Sequence, residues 1–177
     1  MWPWGHVAVA YLCYSIAVRI RANELPDHGP VLMVVVGSLF PDIVDKPLAW
    51  YLGVLPTGRT LAHSLLVLIP LSYLGYRVAN RFERPEYGIA FAIGALSHSI
   101  VDALPVLWDA EAEANFLLWP LLAVEPYEEG APSVLRLLLD SLSSPYFLSE
   151  FVLLGIAAVL WRRDGYPGAE PVRAFLR

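Results

Sequence analysis

His98 and Asp102 stand four residues apart, so on a helix they share a face one turn from each other. Arg59 and His63 have the same spacing, provided a helix begins near Thr60, and Asp42 and Asp45 are three apart. Gly5-His6 adds a fourth polar point at the start of an apolar run. Imidazole and carboxylate together are the ligand set of a hard or borderline divalent metal. Each cluster lies on or beside an apolar segment, where ionisable groups persist only if they pair, meet water or bind something.

Each pair also has a plainer reading. His98 and Asp102 could reach one metal, Asp102 could instead orient the imidazole, or the two could form a buried hydrogen bond tying helices together. Asp42 and Asp45 could hold a metal, or divide into ligand and general base. Alternatively Asp42 caps a helix after Pro41, and Asp45 pairs with Lys46. Arg59 offers a planar fork for phosphate or carboxylate, or else reaches to the membrane interface. His63 has no reason to face lipid and is expected inside the bundle, with Thr57 or Thr60 capping its helix. His28, in a polar loop, and Glu150, at the start of the last apolar run, are left out of the site.

The surrounding sequence explains why polar residues are conspicuous. Of 177 residues, 57% are hydrophobic and 16% charged, with mean hydropathy +0.54. An ordinary globular chain has about 45–50% apolar and about 25% charged residues. Apolar runs span about residues 5–20, 29–55, 61–76, 87–107 and 147–161, and predict an all-α, polytopic helical bundle of about five membrane spans. Pro41 and Pro47 interrupt the second run, which is read as a kinked span or a span plus a re-entrant piece.

The net charge of −5, with Lys46 the single lysine, leaves no basic footprint for nucleic acid. One cysteine, Cys13, gives no disulfide framework. The first apolar run lacks a basic leader and a cleavage site, so it is expected to be retained. Residues 1–163 read as one membrane-embedded domain, and 164–177 as a flexible tail. Residues 134–142 suit a short amphipathic helix on the surface.

Arginines follow the first, third and fifth runs: Arg19 and Arg21; Arg77, Arg81 and Arg84; Arg162, Arg163, Arg173 and Arg177. The positive-inside rule makes those ends cytoplasmic. The connection 108–146, with Asp109, Glu111, Glu113, Glu125, Glu128 and Glu129, then faces outward. All four polar clusters fall at similar depth near that outer face. A multi-pass protein of the cell membrane is expected, with a polar metal pocket near its extracytoplasmic face.

In order, Gly5-His6, Gly37-Ser38-Leu39-Phe40-Pro41-Asp42-Ile43-Val44-Asp45, Gly58-Arg59-Thr60-Leu61-Ala62-His63-Ser64, Gly94-Ala95-Leu96-Ser97-His98-Ser99-Ile100-Val101-Asp102 and Trp119-Pro120 resemble the YdjM-type membrane-bound metal-dependent hydrolases over about residues 5–122. The gathering of His and Asp ligands on helices is also similar to zinc-dependent phospholipase C and P1-type nucleases. The resemblance implies metal ligands at Asp42, His63, His98 and Asp102, with His6 a further ligand or base. The Asp42–Asp45 spacing is wider than the family's Asp-x-Asp element, and the C-terminal third lacks the His-rich motifs of a trinuclear cluster.

The expected function is therefore hydrolysis at a divalent metal, with zinc the leading candidate and one or two ions bound. His6 or Asp45 would move protons, and Arg59 would stabilise negative charge. A phosphoester or ester of a lipid-like or amphiphilic small molecule is the expected substrate, with membrane lipid around it. A proton- or ion-translocating protein predicts polar residues through the full membrane depth. A non-catalytic scaffold predicts His–Asp pairs indifferent to a chelator.

Overall fold

Proline and capping residues set the helix starts. Pro3, Pro85 and Pro145 occupy first-turn positions, where a missing N–H costs nothing. Ser64 and Ser133 accept the backbone N–H of Leu66 and Arg136, and Asp27 accepts that of His28. The computed structural model describes residues 1–126 and 133–169. Its α-helices are α1 (Pro3–Ala22), α2 (His28–Trp50), α3 (Leu65–Arg81), α4 (Pro85–Ala103), α5 (Val134–Ser141) and α6 (Pro145–Arg163). Short 3₁₀ turns cover Leu104–Leu107 and Asn115–Leu118, and no strand occurs among the described residues.

The all-α expectation is met. The five long helices track the five apolar runs, but only Pro85–Leu107 and Pro145–Arg163 are long and apolar enough to cross a membrane by length and composition. Two of the expected five spans thus have that support. The other three differ for visible reasons. Helix α2 carries Asp42, Asp45 and Lys46 in its C-terminal half, α3 has 17 residues and ends on Arg81, and α1 ends on Arg19 and Arg21. Helix α6 shows lipid-compatible apolar surface at Phe151, Val152, Ile156 and Val159, all exposed.

Helix α2 runs unbroken through Pro41 and Pro47, so neither a re-entrant piece nor an N-cap at Asp42 forms. Helix α3 begins later than expected. Residues 57–64 form an irregular loop, and Ser64, rather than Thr57 or Thr60, is the cap.

The bundle centres on α2 and α4, which pack most extensively, with α1 against both, α3 on α4, and α6 on α1. Ala8, Ala10, Tyr11, Tyr14, Val31, Val34, Ala90 and Ala157 make its buried core. Gly37 and Gly94 let the α2 and α4 backbones touch. A Cβ on Gly94 would lie 2.7 Å from the Ser38 nitrogen, and one on Gly37 would lie 3.1 Å from the Ala95 nitrogen. Gly94→Val is expected to force these helices apart. A lowered melting temperature is the measurement that checks it.

The segment expected as a flexible tail begins docked. Asp164 is buried and accepts hydrogen bonds from Tyr11 Oη at 2.5 Å and Ser15 Oγ at 3.0 Å, and it pairs with Arg19. Trp161 Nε1 donates to the Pro167 carbonyl at 2.8 Å, and the Gly168 N–H donates to His28 Nδ1 at 3.0 Å. Removing the carboxylate in Asp164→Ala strands two buried hydroxyls and is expected to cost about 1–3 kcal/mol. Thermal unfolding in detergent reads that loss. The remainder of the expected tail, with Arg173 and Arg177, lies outside the described residues, as do Glu128 and Glu129.

Candidate metal centre

Four elements bring the polar clusters to one end of the bundle. His6 comes from the first turns of α1, Asp42 and Asp45 from the C-terminal half of α2, Arg59 and His63 from the loop before α3, and His98 and Asp102 from the end of α4. His6, Asp45, His63, His98 and Asp102 are almost wholly buried, and Asp42 nearly so.

The imidazoles are held from behind. His63 Nδ1 lies 2.8 Å from Asp45 Oδ2, and His98 Nδ1 lies 2.6 Å from the Ser38 carbonyl oxygen. Both partners are acceptors, so each Nδ1 carries the proton and donates it. In its neutral form each ring then keeps a lone pair on Nε2. Those two Nε2 atoms face each other at 3.1 Å. Asp42 Oδ1 is buried without a hydrogen-bond partner, 3.5 Å from His63 Nε2 and 3.7 Å from His98 Nε2. Asp102 Oδ2 is 3.8 Å and 3.9 Å from the same two nitrogens.

Unprotonated nitrogens facing each other in a buried space repel unless a proton or a metal ion sits between them. The spacing suits a metal ion. Four atoms placed about 2.0–2.2 Å from a tetrahedral ion stand about 3.3–3.6 Å apart. Asp42, His63 and His98 can thus hold a metal ion. His6, His98 and Asp102 form a second such group. The two share His98, whose only available lone pair is on Nε2.

The neighbours of these groups set their parts. His6 stacks on His98 with ring centroids 3.6 Å apart, and its Nε2 lies 3.3 Å from Asp102 Oδ1 and 3.2 Å from the Met1 carbonyl. Its Nδ1 is buried with no partner. Asp45 faces the loop. Its oxygens accept the backbone N–H groups of Thr60 (2.8 Å), Ala62 (2.8 Å) and His63 (3.2 Å) besides the His63 ring. A pairing of Asp45 with Lys46 does not occur. Lys46 Nζ instead reaches Asp42 Oδ2 at 2.5 Å, and Arg59 Nε donates to Asp102 Oδ2 at 2.8 Å with its side chain 46% exposed.

Sequence reasoning did not single out Ser38, which acts through its backbone carbonyl and leaves no side-chain signal. Lys46 was visible as the only lysine, four residues after Asp42. Glu150, set aside from sequence, is buried on α6 and accepts the Trp2 N–H at 3.1 Å through both oxygens. The Trp119-Pro120 element has a backbone role: Ser64 Oγ donates to the Trp119 carbonyl at 2.6 Å, securing the loop beside His63. Phe116 closes the same side with its ring edge-on to His63, centroids 6.1 Å apart.

This meeting of all the motifs at one centre has its counterpart in the whole-chain comparison. The YdjM inner membrane protein family matches residues 1–167. The chain belongs to that family. No curated protein and no solved structure matches it. Membership of an inner membrane protein family, with two helices fit to cross a bilayer, places this YdjM-family protein in a membrane.

Proposed function

We propose that this YdjM-family protein is a membrane-bound metal-dependent hydrolase acting on a phosphoester or ester of a lipid-like or amphiphilic molecule. One observation carries the reading. Asp42 Oδ1, His63 Nε2 and His98 Nε2 converge while Asp45 and Ser38 hold the imidazoles from behind. Asp102 Oδ2 lies 3.8 Å and 3.9 Å from the two histidine nitrogens, with Arg59 Nε donating to it. The distances favour a tetrahedral ion such as zinc, and the shared His98 lone pair favours one ion at a time.

When bound, such an ion lowers the pKa of a water ligand towards about 7. The protein's residues supply the rest. His6 donates its Nε2 proton towards Asp102 and the Met1 carbonyl, so Nδ1 keeps a lone pair and is the atom that accepts the water's proton. Arg59, anchored through Nε, turns its terminal amino groups to the negative charge developing on the substrate. Asp45 positions His63 and does not meet substrate. The burial of His63, His98 and Phe116 keeps bulk water from the centre.

A position at headgroup depth near the extracytoplasmic face of a multi-pass bundle is the reading that the arginine pattern supports. Ion translocation is less well supported. Along α1 the centre at His6 and the Tyr11–Ser15–Asp164 cluster are separated by Val7–Ala10, with Ala8 and Ala10 in the apolar core. The test is hydrolysis of bis(p-nitrophenyl) phosphate and p-nitrophenyl esters by purified protein, with and without chelator. Chelator-sensitive turnover restored by zinc is expected. Absence of metal from the wild type, with unchanged stability in chelator, would instead leave a scaffold.

A further inference from the structure

A cavity of about 490 Å³ opens beside the centre, within the size range of small-molecule sites. Its two walls differ in chemistry. Lys46, Trp50, Gly58 and Arg59 form one, and Trp2, Phe147, Val134 and Leu137 contribute to the other.

The first wall is rich in unused donors. Lys46 gives one hydrogen bond, to Asp42, and Arg59 is engaged through Nε, so both retain free N–H groups. Trp50 Nε1 is buried with no partner. Gly58 lets the loop close on them, since a Cβ there would lie 3.1 Å from Lys46 Cγ and 3.5 Å from Trp50 Nε1. Such a wall calls for a multidentate anion. A neutral carboxylic ester offers it too few acceptors, whereas a phosphate offers three oxygens and a charge.

The charges agree. Asp42, Asp45, Asp102 and Glu150 outnumber Lys46, Arg59 and the Met1 ammonium by one, and a divalent ion at the centre would reverse that excess. Glu150 also borders the cavity, with both oxygens turned onto the Trp2 amide.

The second wall is hydrocarbon. Trp2 and Trp4 stack at 5.1 Å between centroids, Phe147 meets both edge-on, and α5 lies across them, held by Trp2 Nε1 to Ser141 Oγ at 3.2 Å. We infer that this cavity is a subsite for an alkyl phosphate. Lys46, Arg59 and the Trp50 indole hold the phosphate, and Trp2, Phe147 and Leu137 hold the first part of its chain. This deepens the hydrolase reading and rests on it, by selecting phosphoesters over carboxylic esters.

The test measures binding of octyl phosphate, inorganic phosphate and octanoate to full-length, metal-loaded protein in amphipol, with metal content determined on the same samples. Octyl phosphate is expected to bind at least about tenfold more tightly than either other probe. Compared with wild type at metal concentrations that saturate each protein, Lys46→Gln and Arg59→Gln should each weaken both phosphates about tenfold, and Trp50→Phe should do so by a smaller factor. Leu137→Ala should weaken octyl phosphate alone. Equal binding of octyl phosphate and inorganic phosphate, or affinities unmoved by the Lys46 and Arg59 substitutions, overturns the subsite while leaving the metal centre intact. A wild type that carries no metal overturns the hydrolase reading and the subsite together.

Discussion

His98→Ala is expected to leave the purified protein without bound metal, where the wild type carries close to one divalent ion per chain. His98 is common to both ligand groups among the described residues, so its removal breaks both. Loss of a residue that merely orients a ligand typically costs about 10–100-fold in metal affinity, and loss of the shared ligand should exceed that. Elemental analysis of protein purified without chelator reads the result directly. His63→Ala should behave alike for the Asp42-centred group, leaving at most weak binding at His6, His98 and Asp102. Stoichiometric metal in His98→Ala would remove the physical basis of the centre.

The second large effect belongs to a residue that never touches the ion. Asp45→Asn replaces one acceptor oxygen with an amino group, in a place where three backbone N–H groups and the His63 ring N–H all need acceptors. A donor would then face a donor in a fully buried position. Two consequences are expected together. Stability should fall by about 1–3 kcal/mol per unsatisfied group. Metal affinity should fall about 10–100-fold, because His63 loses the partner that fixes its tautomer. A chelator competition series and a thermal melt on the same variant separate these effects. Asp45→Ala, which frees the loop and leaves several donors bare, should be worse in both. An Asp45→Asn protein with wild-type metal affinity would show that His63 is held some other way.

Much of the centre was legible before any coordinates. Ionisable groups in apolar sequence are costly enough that their positions carry information, and His63, His98, Asp42 and Asp102 stood out on that ground. Helical spacing predicted that His98 and Asp102 share a face, and they do. What escaped was every role played by backbone or by folding back. The Ser38 carbonyl that holds His98 looks like any other peptide group. Asp45 reads as a second carboxylate near Asp42 until the 57–64 loop is seen wrapped around it. One alternative paired Lys46 with its neighbour in sequence, although residues four apart on a helix are the ones that meet.

The fold was legible to a similar degree. Apolar runs located five long helices to within a few residues. Proline was over-read in α2, where a helix can continue when packing and side chains compensate for the lost bond. The start of α3 was under-read, because Thr57 and Thr60 were considered as caps and Ser64 was not. Hydropathy also treats a helix as a uniform cylinder. The charges that build the centre are the same ones that leave α2 short of a plain span.

The contact between Gly37 and Gly94 has a bearing on how this protein lives in a fluid environment. Two rods fused main chain to main chain cannot slide or splay by rearranging rotamers. The donors carried by α2 and α4 therefore share one rigid chassis. Tilting the pair as a body would leave the spacing of Asp42, His98 and Asp102 unaltered, so that part of the centre is insulated from the mechanics of its surroundings.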